Sequence, residues 1–193
     1  SDIPDNVKKM AIAAEDKNFY QNNVGIDIEG ITRSIITFVK TGKATMGGST
    51  IAQQLIRSTF ITNERTVERK IREIVMAIEL TRRYSKDQVL EWYLNQVPFG
   101  QNTYGIGAAS MNYFGKPISE VDAAQAATLI SLIQAPSYYP NHFDELMARK
   151  EYVLNRMVED GYMSGEDADN AKKSEVKFIK KENTIKAPYF TLW

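Results

Sequence analysis

The strongest constraint on the fold is a succession of helical segments, most of them ended by a capping or helix-breaking residue. Apolar residues recur along these segments with a helical period. Only residues 175–180 alternate like a strand. The pattern therefore predicts a predominantly α fold. The predicted helices are 5–20, 27–40, a segment starting near 50, 64–83, 86–95, 104–114, 119–134, 143–160 and 165–173.

Composition restricts the chemistry further. The 193 residues suit a single domain, and they include no cysteine and one histidine, His142, which excludes thiolate catalysis, Cys-based zinc sites and His-pair metal sites. Lys and Arg number 24, as do Asp and Glu, so the formal net charge of zero argues against a nucleic-acid partner. No apolar run approaches the roughly 18 residues of a membrane span. Catalysis would have to use carboxylates, hydroxyls, amides and cations.

The segment 26–60 is rich in apolar residues, among which Arg33, Lys40, Lys43 and Arg57 are interspersed. One interpretation is an ordinary part of the core. The other is a lobe that dips into the acyl boundary of a bilayer, where basic side chains meet phosphate headgroups.

Two adjacent acids lie on an apolar helix face. At 100° per residue, Glu15 and Asp16 fall on the same side as Ile12 and Phe19. Removal from water raises the pKa of a carboxyl group and suits it to general acid or base catalysis. The alternative is that one acid caps a helix or forms a salt bridge at the edge of a cleft.

A loop of small residues, Gly47-Gly48-Ser49-Thr50, leads into a helix that carries Gln54 one turn further on. Backbone N–H groups at a helix start can hold phosphate, although no Gly-Lys-Ser/Thr sequence completes a Walker loop. The plain alternative is a loop with a helix N-cap.

The third cluster is a basic helix. Residues 57–86 contain eight Lys and Arg residues and four acids. Glu73 lies opposite the stripe of Ile71, Ile74, Val75 and Ile78, which is predicted to face the core, and is flanked by Arg69 and Lys70. Such an acid could organise cations, a metal or an acceptor sugar. The alternative is an Arg69–Glu73 pair on a solvated helix.

Short motifs follow one another along the chain: Glu15-Asp-Lys-Asn-Phe19, Gly25-Ile-Asp27, Gly47-Gly-Ser-Thr-Ile-Ala-Gln-Gln-Leu55, Arg69-Lys70-x-x-Glu73 and Leu90-Glu-Trp-Tyr-Leu-Asn95. In this order and spacing they resemble the peptidoglycan glycosyltransferases. That family occurs as monofunctional enzymes and as the first catalytic domain of class A penicillin-binding proteins. The resemblance covers essentially the whole chain, with Asn22 near the family's usual His and Arg57 in place of its usual Lys.

The resemblance implies a lysozyme-like α lobe with a smaller membrane-associated jaw lobe, at about 26–62, beside the cleft. It implies that residues 1–193 form a single domain and that about 187–193 begin a linker to a downstream transpeptidase domain. The implied reaction polymerises lipid II into β-1,4 glycan with inversion and release of polyprenyl pyrophosphate. It would take place at the extracytoplasmic face of the bacterial cytoplasmic membrane, with the anchor segment missing from this chain.

The resemblance also assigns roles to residues. Glu15 corresponds to the general base and Glu73 to a second essential glutamate. The positions that correspond to substrate-binding residues are Asp16, Ser49, Thr50, Gln54, Arg57, Arg65, Arg69 and Lys70. Glu15 and Asp16 are candidates to hold Mg²⁺ or Mn²⁺, and moenomycin is the implied inhibitor.

Two other functions stay open on the sequence. One is a muramidase or lytic transglycosylase that uses Glu15 as a general acid. The other is a non-enzymatic scaffold at the membrane surface.

Overall fold

The computed structural model describes residues 3–27, 30, 32, 37, 48–60 and 66–179. Within these residues the chain is predominantly α-helical, as predicted, with two short 3₁₀ turns at Ile118–Glu120 and Tyr139–Asn141. The α-helices are α1 (Asp5–Glu15), α2 (Ile51–Phe60), α3 (Val67–Arg83), α4 (Lys86–Gln96), α5 (Ile106–Phe114), α6 (Ala123–Gln134), α7 (Phe143–Glu159) and α8 (Gly165–Lys173).

Several predictions concern residues outside the described ranges. They are most of the helix at 27–40, most of the membrane-associated lobe at about 26–62, Arg65 and the linker at about 187–193. Among the described residues, no helix combines the length and apolar character that crossing a bilayer requires.

Two groups of helices build the described fold. In the first group α7 packs against α1, α6 and α8. In the second group α2 packs against α3 and α4, and α5 contacts both α4 and α6. Helix α6 is buried on nearly every face, which is how an all-round apolar helix behaves at the centre of a domain. The C-terminal end of α1 meets the start of α2 where the two groups join.

The starts of α4 and α6 are closed by reciprocal capping. At α4, Ser85 and Gln88 bond to each other's backbone, and Asp122 and Gln125 do the same at α6. Each pair satisfies two N–H groups that a helix start would otherwise leave without partners. These caps fix where α4 and α6 begin: α4 begins at the predicted residue 86, whereas α6 begins at 123, four residues after the predicted 119.

The predicted strand at 175–180 is wrong over residues 175–179, which adopt no regular secondary structure. The alternation arises because the segment lies across α5 and not beside another strand. The N–H of Ile179 donates to the carbonyl of Tyr113 at 2.9 Å, and Phe178 packs on Tyr113, Phe114 and Phe143.

The predicted orientation of α3 is also wrong. Ile71 and Val75 are 56% and 59% exposed, whereas Glu73 and Ala77 are buried. The side that carries Glu73 and Ala77 turns inward, and Arg69 and Lys70 of the same helix offset the charge of the buried Glu73. Of the expected apolar stripe, Ile71 and Val75 therefore lie on the outer surface, whereas Ile74 and Ile78 are half-buried.

Candidate active site

A cavity of about 920 Å³ lies at the junction of the two helix groups. Its walls come from the end of α1, the following loop, residues 48–50 and one face of α7. Glu15, Asp16, Ser49 and Thr50 all line it, so the structure brings together residues from two of the sequence motifs. A second cavity of about 520 Å³, beside α8, contains none of the predicted site residues.

Glu15 is the last residue of α1, and its side chain is only 10% exposed. Its Oε2 accepts a hydrogen bond of 3.0 Å from Nε2 of Gln54. Its Oε1 lies 3.5 Å from Nη2 of Arg149 and has no hydrogen-bond partner among the described residues. One carboxylate oxygen of the predicted general base therefore accepts a hydrogen bond from an amide, and the other accepts none among the described residues.

Gln54 connects Glu15 to the interior of the protein. The hydroxyl of Tyr93, on α4, donates to Oε1 of Gln54 at 3.1 Å. The Gln54 amide nitrogen also lies 3.4 Å from the carbonyl oxygen of Ser49. Both ends of this amide are thus engaged within the protein.

Asp16 follows Glu15 and caps the start of α2 from outside that helix. The Ile51 N–H donates to Oδ2 of Asp16 at 3.1 Å. Burial raises the pKa of Asp16 to about 6, because desolvation outweighs the Ile51 hydrogen bond and the attraction of Lys86. Among the described residues, no lysine or arginine forms a salt bridge with this acid.

The start of α2 behaves as a capped helix. Thr50 Oγ1 accepts a hydrogen bond from the Gln53 N–H at 3.2 Å, and the Gln53 side chain accepts one from the Thr50 N–H at 3.0 Å. Asp16 already occupies the Ile51 N–H. This arrangement favours the N-cap alternative over an open phosphate cradle formed by these backbone groups.

Glu73 is fully buried on the inner side of α3 and pairs with two cations of its own helix. Lys70 Nζ hydrogen-bonds to Glu73 Oε1, and Arg69 Nη1 lies 3.3 Å from Oε2. The Arg69–Glu73 pair exists, but it is not on a solvated face. Lys70 Nζ also donates to Ser49 Oγ at 3.1 Å, which links this ionic cluster to the cavity wall.

The other predicted cations are placed differently. Arg57 is exposed on α2, one helical turn beyond Gln54, and its charge acts on the buried Tyr93. Arg65 lies outside the described residues.

The fit of a divalent cation at Glu15 and Asp16 is poor. In the described part of the chain, no three acidic or histidine side chains cluster as a metal site. Asp16 Oδ2 is already bonded to the Ile51 N–H, and Glu15 Oε1 faces a guanidinium group. Mg²⁺ requires several oxygen ligands in octahedral geometry. The cation at Glu15 and Asp16 stays a prediction, and the chemistry below uses only protein side chains.

Sequence reasoning missed the contribution of α7. Arg149 faces Glu15, Tyr152 and Arg156 line the cavity, and the Arg149 guanidinium lies 4.3 Å from the centroid of the Tyr152 ring. Arg156 also donates from Nε to the carbonyl of Ala13 at 3.3 Å. The i, i+3, i+7 spacing of these residues on one helix face was the available signal.

The loop that follows α1 is organised by Asn22. Its Oδ1 accepts hydrogen bonds from the N–H groups of Val24 and Gly25, each at 3.1 Å, and its Nδ2 donates to the carbonyl of Ile26 at 2.8 Å. Asn22 thus closes a tight turn at the position near which the resembled family usually has His.

A family model and individual relatives each match most of the chain. The family model described as Transglycosylase matches residues 1–158. Penicillin-binding protein 1A of Rickettsia typhi is 39% identical over 98% of this chain and 25% of its own length. Penicillin-binding protein 1A of Aquifex aeolicus is 40% identical over 97% of this chain and 26% of its own. The chain thus spans about a quarter of these relatives.

A crystal structure of penicillin-binding protein 1A from Haemophilus influenzae aligns with 68% of this chain and 17% of its own, at 27% identity and a TM-score of 0.48.

Proposed function

The chain belongs to the transglycosylase family, and from this membership we propose that it polymerises lipid II into β-1,4 glycan with inversion and release of polyprenyl pyrophosphate. The observation that carries the proposal is the state of Glu15. This carboxylate is largely buried at a cavity, one oxygen is held by Gln54, and the other has no hydrogen-bond donor among the described residues.

In the proposed reaction, the Glu15 carboxylate removes the proton from the 4-hydroxyl of the acceptor sugar. The hydroxyl oxygen then attacks C1 of the donor sugar from the face opposite the pyrophosphate. The C1–O bond to the pyrophosphate breaks, and the leaving group takes the bonding electrons. A positioned general base contributes about 10²- to 10⁴-fold to such a step.

The departing pyrophosphate carries concentrated negative charge, which fixed cations stabilise. Lys70 is proposed to be one of these cations, because its Nζ donates to Ser49 on the cavity wall and is also hydrogen-bonded to Glu73. Arg57, exposed on α2, offers a guanidinium fork suited to phosphate oxygens. Asp16 and Ser49 line the same cavity and are proposed to contact substrate.

We place the reaction at the extracytoplasmic surface of the cytoplasmic membrane, where a lipid-linked substrate would be presented. The outward apolar strip of α3, with Val67, Ile71 and Val75, supports this placement, as does exposed Phe60 at the end of α2. These side chains are close in sequence to the segment expected to meet the bilayer. Moenomycin is expected to inhibit the enzyme by competing at the donor side of the cavity.

Incubation of the chain with lipid II in detergent tests the proposal. The chain is expected to form polymer, and Glu15→Gln is expected to lower the rate at least about 100-fold. Glu166→Gln, which alters an exposed acid on α8, is the matched control and is expected to polymerise at the unmodified rate.

The same preparation separates the alternatives. The family match does not favour a lytic enzyme, which would shorten preformed glycan and leave lipid II unpolymerised. A scaffold would do neither and would be indifferent to Glu15→Gln. Shortening of glycan, or polymerisation by Glu15→Gln at the unmodified rate, would refute the proposed role of Glu15.

A further inference from the structure

Tyr93 is buried in the middle of α4 and does not line the cavity, yet its hydroxyl is two hydrogen bonds from Glu15. Burial raises the pKa of Tyr93 well above its ordinary value, with the negative charge of Glu15 acting in the same direction. The phenol therefore keeps its proton and acts as a donor.

The two ends of a glutamine amide have nearly the same shape but opposite hydrogen-bonding character. With its oxygen toward the Tyr93 hydroxyl, Gln54 presents its NH₂ group to Oε2 of Glu15. A reversed amide would place its oxygen against the carboxylate, acceptor against acceptor. Glu15 Oε2 and the Ser49 carbonyl are acceptors and orient the NH₂ group toward themselves, and the Tyr93 hydroxyl then anchors the amide oxygen at the other end.

Glu15 is approached from both helix groups. Gln54 on α2 holds Oε2, while Arg149 on α7 faces Oε1 from 3.5 Å. The Gln54 hydrogen bond to Oε2 fixes the position of the Glu15 carboxylate at the edge of the cavity. General-base catalysis depends on such placement, and displacement of about 1 Å can cost about 100-fold in rate.

We propose that Tyr93 is a positioning residue, which anchors the oxygen end of the Gln54 amide and through it holds the Glu15 carboxylate in place for the acceptor hydroxyl. This inference rests on the proposed function, since it concerns the base of the same reaction. Tyr93 acts through Gln54 and touches no substrate.

Tyr93→Phe removes only the hydroxyl and tests the inference with lipid II as substrate. We expect kcat to fall about 10-fold while KM stays within about twofold, because the base is misplaced and the substrate-binding surface is unchanged. The matched control is Tyr113→Phe. Tyr113 is also buried, and its hydroxyl donates to the carbonyl of Phe99 at 2.7 Å, away from Glu15. The Tyr113→Phe variant loses a comparable hydrogen bond and is expected to keep the kcat of the unmodified chain.

Testing Tyr93→Phe in a Gln54→Met background distinguishes a positioning role from a general loss of stability. In Gln54→Met the relay is already broken, so adding Tyr93→Phe is expected to change kcat by less than about twofold. An unchanged kcat in Tyr93→Phe alone would overturn the inference. Equal losses in Tyr93→Phe and Tyr113→Phe, or the same loss from Tyr93→Phe in both backgrounds, would also overturn it.

A readout that needs no turnover distinguishes this inference from the proposed function. The side-chain NH₂ of Gln54, identified in ¹⁵N–¹H spectra by its loss in Gln54→Met, is expected to exchange with solvent at least about fivefold faster in Tyr93→Phe. Unchanged exchange overturns the role of Tyr93 even if the chain polymerises lipid II. Faster exchange without any polymerisation upholds the role of Tyr93 in holding the Gln54 amide and refutes the proposed function.

Discussion

Replacing Asp16 with asparagine is expected to stabilise the protein at neutral pH. The pKa of this carboxyl is raised from 3.8 to about 6, mainly by desolvation. A carboxyl whose pKa is higher in the folded state favours folding most when it is protonated, below about pH 4. That stability is lost as the pH rises through about 6, when the buried group ionises. Asparagine resembles the neutral acid and does not ionise.

The size of the effect follows from the shift of about two pKa units. Each unit corresponds to about 1.4 kcal/mol, so Asp16→Asn is expected to raise the free energy of unfolding by up to about 3 kcal/mol at pH 7. This increase in the free energy of unfolding should approach zero below about pH 4. Asparagine keeps an oxygen that can accept the Ile51 N–H, so the start of α2 remains capped. Urea unfolding of both proteins between pH 4 and pH 8 measures the difference.

Asp5→Asn is a control whose effect on stability is expected to have the opposite sign. The hydrogen bond to Lys9 lowers the pKa of the exposed Asp5, so its stabilising contribution is present at neutral pH and is lost in acid. Its loss should be small, because the pair is exposed. A stability difference between Asp16→Asn and the unmodified chain that does not change from pH 4 to pH 8 would refute the assigned ionisation of Asp16.

Glu73→Ala is expected to lower the free energy of unfolding by about 2–3 kcal/mol in urea, because Arg69 and Lys70 would be left without their buried partner. Glu73→Gln keeps an acceptor and should cost less than half as much; equal losses would mean that charge pairing is unimportant there. Gly25→Ala is expected to cost at least about 2 kcal/mol, since φ is +79° and a Cβ would lie 2.4 Å from a side-chain atom of Thr81. Gly161→Ala, with a φ of +74° and open space, should cost only about 1 kcal/mol, and a similar melting temperature for the two variants would contradict the steric argument.

The sequence predicted the parts of the site that depend on local pattern. Glu15 and Asp16 share a helix face with apolar residues, and periodicity is enough to show that both turn toward the interior. The helix starts at α4 and α8 follow from serine N-caps at Ser85 and Ser164. Such features depend on residues within a turn or two of one another.

Features set by tertiary partners were not predicted. Periodicity assigns the apolar side of α3 to the core, but it carries no information on what faces the opposite side, where Lys70 reaches Ser49 of another segment. Arg149 is far from Glu15 along the chain, and its guanidinium reaches the carboxylate only because α7 packs against α1. The residues at 175–179 alternate because they cross α5, which no local rule distinguishes from strand pairing.

Asp16, which is half-buried, and Glu73, which is buried, have opposite electrostatic environments. Glu73 contacts two cations, so its charge is compensated within the fold. Among the described residues, the Ile51 N–H and the more distant charge of Lys86 offset the desolvation of Asp16 in part. A carboxylate that destabilises the fold at neutral pH is a candidate for a role in function. Because Asp16 lines the cavity next to the proposed base, Asp16→Asn should become more stable and less active in the same preparation. A variant that gained stability and kept the full rate on lipid II would show that Asp16 has no part in the reaction.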